Sequence, residues 1–259
     1  MKKTVRWRTP KFLKGIPRDN RYMLNFLQNG LLGTVQTPHI QVLFYISIFL
    51  CIAVPYLLGS FNTAVFVYTH ILGEDVREKG SGNAGLTNTN RVYGGKVALL
   101  VLLGDALKTA LSILFAGVLF GFYYVNGFSG NSFAYIAALF CMLGHVFPVF
   151  YRFKGGKGVL CTFISALILC PIVAGILICI FALILGVTKY VSLSSIIAGV
   201  MFPFVLDRTL SLFGMVPDGL IVLSTIIIAL LVVWCHRENI KRIMNKTESK
   251  FSFKKNKKQ

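Results

Sequence analysis

Four short passages concentrate most of the residues that can do chemistry, and each sets glycine, hydroxyl or amide groups beside a cation. GSGNAGLTNTNR, Gly80–Arg91, alternates glycines with Ser81, Asn83, Thr87 and Asn88 before Arg91. Glycines let consecutive backbone N–H groups point at one phosphate, and hydroxyls, amides and a guanidinium complete its shell. GHVFPVFYRFKGGKGV, Gly144–Val159, repeats the theme with Lys154, Gly155, Gly156, Lys157 and Gly158. It is not a Walker loop, because no Ser or Thr follows the lysine and no strand precedes it. TKYVSLSS, Thr188–Ser195, and HRENIKR, His236–Arg242, add hydroxyls, an imidazole, an acid and an amide. Each passage alone has a plainer reading: a polar linker, a basic membrane-edge turn, a hinge, an interfacial histidine. Only their combination is specific.

The elements that must position these passages are membrane helices. The 259 residues are 55% hydrophobic and 14% charged, and the mean hydropathy is +0.70, too apolar for a soluble domain of this size. Lys and Arg number 27 against 9 acids, a formal net charge of +18, which points to anionic partners. The long apolar runs leave little soluble surface for nucleic acid, so lipid phosphate or a phosphorylated substrate is the partner expected.

The expected class is an all-α integral membrane protein with about seven transmembrane helices, some short or partly inserted. Spans are expected at Ile40–Leu58, Val97–Val125, Asn131–Phe150, Leu193–Phe213 and Leu220–Cys235, with a short apolar segment at Phe61–Leu72. Val159–Gly186 is longer than one span needs and carries Pro171 near its middle, so a pair of short helices fits it as well as one long kinked helix, and the parity of the loops selects the pair. That pairing puts the Gly73–Lys96 loop, the Tyr151–Gly158 loop, the Thr188–Tyr190 hinge and the C-terminal tail on one face. Their cations make it the cytoplasmic face. The same parity leaves the basic arm, residues 1–38, outside, against the charge rule. The domain division expected is the arm, a helical membrane domain over 39–236 and a basic tail over 237–259.

Other candidates have structural explanations. Asp105 and Lys108, one turn apart inside a span, are expected to pair and face the bundle, since either would be costly in lipid. The six cysteines lie in or beside apolar stretches without metal-ligand spacing and read as small buried residues. His70 and Asp75 form an H-x-x-x-x-D spacing, but His70 ends an apolar segment and reads as an interfacial histidine.

YLLGS (Tyr56–Ser60), DVREKGSGNAGLTN (Asp75–Asn88), GDALK (Gly104–Lys108), GHVFPVFYRFKGGKGV, YVSLSS and HRENIKR occur here in the order and spacing of one family. Over roughly residues 40–245 the chain resembles the bacterial membrane glycerol-3-phosphate acyltransferases of the PlsY family, which use acyl phosphate. The resemblance implies a multi-pass enzyme of the bacterial cell membrane with its active site on the cytoplasmic face. It implies glycerol 3-phosphate, acyl phosphate and membrane lipids as partners, with no cofactor or metal, and lysophosphatidic acid and phosphate as products. The family's phosphate-handling loop falls on Ser81, Asn83, Asn88 and Arg91. Its glycine-rich acyl-phosphate loop falls on Lys154, Gly155, Gly156, Lys157 and Gly158, and its catalytic polar positions on His145, Ser192, His236, Glu238 and Asn239. Leu86, Phe61–Ala64 and Leu160–Cys161 depart from the usual pattern without changing its polarity, and the arm is atypical.

The chemistry of these residues agrees with that implication. An acyl phosphate carries a good leaving group, so acyl transfer needs two anion clamps and donors to the carbonyl oxygen, with no covalent intermediate. No G-x-S-x-G elbow is present. His145, His236 or a phosphate oxygen of the donor could take the proton from the glycerol hydroxyl, the substrate oxygen being slightly favoured. A carrier of small phosphorylated solutes is the alternative, but it would place its polar residues near the bilayer midplane.

Overall fold

The structure, a computed structural model, describes residues 30–31, 40–121 and 132–251. The basic arm therefore lies outside the described residues except for Gly30 and Leu31, as do the NGFSG turn and the last eight residues. Every regular element among the described residues is helical.

Helix α1, Ile40–Ser60, is followed by α2, Thr63–Val67, which widens into a π-helical turn over Tyr68–Leu72. The break between them is specified by side chains. Asn62 caps α2 by accepting from Val65 N at 3.1 Å, and Lys108 Nζ donates to the carbonyls of Gly59 and Phe61 at 3.2 and 3.1 Å. These are carbonyls that the end of α1 leaves without helical partners. The short α3, Leu86–Tyr93, leads into α4, Gly95–Phe120, and then α5, Ser132–Val146, ends at Pro148.

The apolar stretch after Gly158 divides as expected. Helix α6, Val159–Leu169, stops at Cys170, and α7, Pro171–Thr188, starts with Pro171 in its first turn, where proline's missing N–H would be unpartnered anyway. Helices α8, Val191–Leu212, and α9, Gly219–Cys235, complete the bundle. A 51° bend at His236 separates α9 from α10, Arg237–Met244. Among the described residues five helical stretches are long and apolar enough to cross a membrane, or six if the bent pair α9 and α10 is counted as one span. The 11 residues of α6 reach only about 16 Å at 1.5 Å per residue, about half the hydrocarbon thickness. Among the described residues, the six candidates and this half-length helix together match the expected seven.

Small residues let the backbones approach, as membrane helices without a hydrophobic drive between them require. A Cβ on Gly59 would lie 2.0 Å from the Cys141 carbonyl oxygen, and one on Gly144 would lie 2.1 Å from that of Tyr56. Helices α1 and α5 therefore touch along their main chains, and Tyr56 Oη donates to the Phe147 carbonyl at 2.9 Å. The main apolar core lies between α5, α6, α7, α8 and α9, around Met142, Val173, Phe202, Leu206 and Ile228.

Asp218 begins α9 by accepting from Leu220 N and Ile221 N at 2.9 and 3.0 Å. The pairs α4–α5, α6–α7 and α8–α9 are hairpins whose open ends meet, since Gly95, His145, Gly158, Val191 and His236 line one cavity.

Candidate active site

That cavity, of about 1130 Å³, lies at the end of the bundle where the four polar passages converge. Ser81, Asn83, Asn88, Arg91, His145, Lys157, Gly158, Ser192, His236 and Asn239 all line it. Lys154, Gly155, Gly156 and Glu238 do not. One side is an apolar groove formed by Phe163, Leu177, Phe181, Ala198 and Val232.

The first loop is folded around Asn88. Its Oδ1 accepts from Ser81 N at 2.8 Å, and its Nδ2 donates to the carbonyls of Lys79 at 3.0 Å and Val76 at 3.4 Å. Gly80 and Gly82 have φ of +60° and +70°, and a Cβ on Gly80 would lie 2.3 Å from Asn88 Oδ1. Asn88 thus shapes the loop that presents Ser81 and Asn83. Arg77 chelates Asp75, at 2.6 Å for the closest pair, and donates to the Tyr151 carbonyl at 3.2 Å, joining this loop to the second. The bonds from Arg77 hold the Asp75 carboxyl below its ordinary value despite partial burial. Asp75 is thereby committed to Arg77. His70 is exposed and stacks on Phe66 at 4.6 Å, so the two residues form no common site.

The second loop uses its glycines differently from a simple N–H cradle. Gly156 N donates to the His145 carbonyl at 3.0 Å and Gly155 N to that of Val146 at 3.1 Å, so both N–H groups are taken by the end of α5. A Cβ on Gly155 would lie 2.0 Å from the His145 carbonyl oxygen. Their role in the structure is close packing, which delivers Lys157 and Gly158 to the start of α6. Gly158 has φ of +73°, suited to glycine. Lys154 is exposed.

Lys157 Nζ donates to Asn239 Oδ1. Burial, together with the nearby positive charge of Arg242 and, less strongly, Arg91, pulls the Lys157 ammonium down to about 8. Asn239 Nδ2 donates to Glu248 Oε1 at 2.7 Å, and Ser192 Oγ donates to the same oxygen at 2.7 Å. Arg242 Nε donates to Glu248 Oε2 at 2.6 Å. Burial alone would raise the Glu248 carboxyl, but these three donors outweigh it and hold it below the usual range. The chain beyond Glu248 folds back along the hinge, where Phe251 N donates to the Lys189 carbonyl at 2.7 Å. Glu238 is exposed and pairs with Lys241 at 3.3 Å.

The two buried histidines present opposite faces. His236 Nδ1 lies 2.7 Å from the Val232 carbonyl, which can only accept, so neutral His236 offers an Nε2 lone pair. His145 Nδ1 lies 2.9 Å from Lys108 Nζ, which can only donate. Lys108 also pairs with Asp105 at 2.8 Å with both residues buried, and Thr63 Oγ1 donates to that carboxylate at 3.2 Å. The expected pair exists, and it extends to the cavity wall.

Arg242, Glu248 and Asp105 also line the cavity, and sequence reasoning assigns none of them to the site. Arg242 follows Asn239 by one turn within HRENIKR, and Glu248 is an isolated acid in a basic tail; those are the signals that the sequence offers. The cations, hydroxyls and amides at one end, continuous with an apolar groove, fit the class of integral membrane enzymes with an amphipathic site.

Comparison with known proteins specifies the class. A family model described as Glycerol-3-phosphate acyltransferase matches residues 49–246, and the chain belongs to that family. It is 39% identical over 216 residues to the glycerol-3-phosphate acyltransferase of Mycoplasmopsis synoviae, covering 77% of this chain and 92% of that one. It is 40% identical over 200 residues to that of Syntrophomonas wolfei, covering 77% and 94%. Its fold is similar to the crystal structure of PlsY, an integral membrane glycerol 3-phosphate acyltransferase, in its glycerol 3-phosphate form. The TM-score is 0.67 at 32% identity, over 80% of this chain and 96% of that one. The lysophosphatidic acid form gives a TM-score of 0.66 at 30% identity.

Proposed function

We propose that this chain transfers an acyl group from acyl phosphate to the 1-hydroxyl of glycerol 3-phosphate at the membrane surface. The observation that carries this reading is the continuity of the polar end of the cavity, with Lys157, Arg91 and Arg242, with the apolar groove between α6, α7, α8 and α9. One substrate is a small dianion, and the other joins a phosphate to a hydrocarbon chain.

In the reaction the glycerol hydroxyl oxygen attacks the acyl carbon, the bond from that carbon to the phosphate oxygen breaks, and phosphate leaves. The hydroxyl proton ends on the departing phosphate. Arg91, with Ser81 and Asn83, is assigned to the phosphate of glycerol 3-phosphate, and Lys157 with Gly158 and the start of α6 to the phosphate of the donor. His236 Nε2, Ser192 and Asn239 orient the attacking hydroxyl. Catalysis is positioning and charge stabilisation in a site partly closed to water.

The cavity end is assigned to the cytoplasm. Arg77, Lys79, Lys96, Arg152, Lys154 and Lys189 lie in segments reaching that end, while the Cys170–Pro171 and Gly214–Asp218 turns carry no cation. The domain division keeps the arm, residues 1–38, separate from the helical domain over 39–236, and makes the start of the 237–259 tail a working part of the site.

The test is acyl transfer by the purified protein in detergent, with acyl phosphate, acyl-CoA and acyl carrier protein as rival donors. Lysophosphatidic acid and stoichiometric phosphate are expected from acyl phosphate alone. Turnover with either thioester but not with acyl phosphate, or none with any donor, would overturn the reading.

A further inference from the structure

We propose that His145 acts as a fixed Nε2–H donor to an anionic oxygen of the acyl phosphate, and that Lys108 is the positioning residue that dictates this tautomer. The proposal rests on the acyl-transfer reading and adds roles for a buried triad that the reaction above leaves unused.

The proton positions follow from what surrounds Lys108. Its Nζ lies 2.8 Å from Asp105 Oδ1, 2.9 Å from His145 Nδ1, 3.1 Å from the Phe61 carbonyl and 3.2 Å from the Gly59 carbonyl. Two carbonyls and a carboxylate can only accept, so the amine is an ammonium with three protons and no lone pair. Its three protons are shared among these four neighbours, and an amine without a lone pair can meet His145 Nδ1 only if Nδ1 is an acceptor. A proton on Nδ1 would set an N–H against an ammonium inside the bundle, where such a clash is poorly screened. The imidazole is therefore neutral with its proton on Nε2. Asp105, whose Oδ1 is 3.7 Å from His145 Nδ1, is held by Lys108 and Thr63 and is too far to compete for that proton.

The Nε2–H group is left for a ligand. His145 is only 4% exposed yet borders the cavity, and among the described residues Nε2 has no hydrogen-bond partner in the chain. A Cβ on Gly156 would lie 2.2 Å from Nε2 and 2.8 Å from the Ala84 carbonyl oxygen. The ring therefore stands where the two glycine-rich loops meet, beside the start of α6. An N–H that borders the cavity is open to an acceptor there, and an anionic oxygen gives the stronger bond. This geometry also excludes His145 as the general base: its one lone pair is on Nδ1, turned into the bundle and engaged by Lys108.

The decisive measurement is the tautomer, read by nitrogen NMR on protein carrying 15N-labelled histidine in detergent, with His145→Gln assigning the signal. A single Nε2–H tautomer is expected, perturbed by inorganic phosphate. A proton on Nδ1, or no response to phosphate, would overturn the proposal. Lys108→Met should lose the single-tautomer signature. If that variant fails to fold because Asp105 is left unpaired, the Asp105→Asn/Lys108→Met protein should fold and show the same loss, and retention of the signature would remove Lys108 from the role.

Kinetics provide the second arm. A glutamine amide can place an N–H near the Nε2 position but cannot take a proton. His145→Gln should keep kcat within about tenfold of wild type, whereas His145→Ala should lose about 10²- to 10³-fold, the scale of one preorganised donor. Equal inactivity of the two folded variants would point to a base and refute the proposal. If the unmodified protein transfers no acyl group, the acyl-transfer reading fails, while the tautomer and its response to phosphate still decide His145 without substrate.

Discussion

Glu248 accepts from Ser192 at 2.7 Å across a sequence separation of 56 residues, and through that contact the tail closes one wall of the cavity. The same carboxylate takes donors from Asn239 and Arg242, so it fixes two residues assigned to the site and the helix α10 that carries them. Glu248→Ala should lower stability by about 1–3 kcal/mol, the cost of leaving buried polar groups without partners. It should also raise the glycerol 3-phosphate KM. Thermal unfolding in detergent and steady-state kinetics check both.

The sign of the pH effect on that contact follows from its donors. The folded-state carboxyl is held below its ordinary value, so its contribution is present above that value and is lost as pH falls through the folded one. The difference in Tm between wild type and Glu248→Gln should shrink on acidification from neutral pH. A constant difference down to the acid limit of folding would show that the ionised form contributes nothing.

Lys157 gives the opposite limb. Its ammonium is lowered to about 8, so it is charged below that pH and neutral above it. A phosphate clamp built on it should weaken with alkalinity: kcat/KM for acyl phosphate should fall with a midpoint near 8, because this ratio reports the free enzyme. Lys157→Arg, slower overall, should lack that limb. Profiles from about pH 6 to 10, with a buffer-matched control for acyl phosphate hydrolysis, decide the point.

Much of this architecture is legible in the sequence because it is written locally. Pro171 announces the α6–α7 break, and the uninterrupted apolar runs announce the spans. What is not legible is where backbone groups are used. KGGKG suggests an N–H cradle, yet the Gly155 and Gly156 N–H groups are consumed by the carbonyls that α5 leaves open at its end, a tertiary fact with no sequence periodicity. Likewise Asn88 has a residue type suited to binding phosphate, but its amide holds the loop backbone. Asp105 and Lys108 are readable as a pair from their spacing, whereas their link to His145 depends on α4 and α5 packing side by side.

The glycine positions give a packing prediction. Gly156→Ala would force a methyl into the space of the His145 ring, and overpacking of this kind costs about 1–3 kcal/mol. Acyl transfer should fall steeply in a protein that still folds. A Cβ on Gly175, within α7, would meet nothing within 4 Å, and Gly175→Ala should leave activity intact and raise Tm slightly, since alanine is the better helix former. Equal activity of the two variants would mean that the loop tolerates displacement from His145.

The last prediction separates phosphate clamps from cations that merely set topology, and it turns on Arg91 and Lys157. If charge alone mattered, Arg91→Lys and Lys157→Arg would be harmless, since the net charge of the loops at the cavity end is unchanged. Arg91 is exposed and lines the cavity, and none of the ion pairs among the described residues involves it. Its planar donors are therefore available to grip a phosphate in two places at once, which an ammonium cannot do. Lys157 is confined between Gly158 and Asn239, and a guanidinium there would displace Asn239 from Glu248. Both conservative exchanges should impair turnover, and the alanine variants should cost about 2.7–4 kcal/mol of transition-state stabilisation. Arg91→Ala should act mainly by raising the KM for glycerol 3-phosphate, and Lys157→Ala should show its effect against acyl phosphate. Lys246→Ala, exposed just past the end of α10, serves as the charge control and should be silent. Wild-type kinetics in both alanine variants would refute the clamps and the substrate assignments built on them.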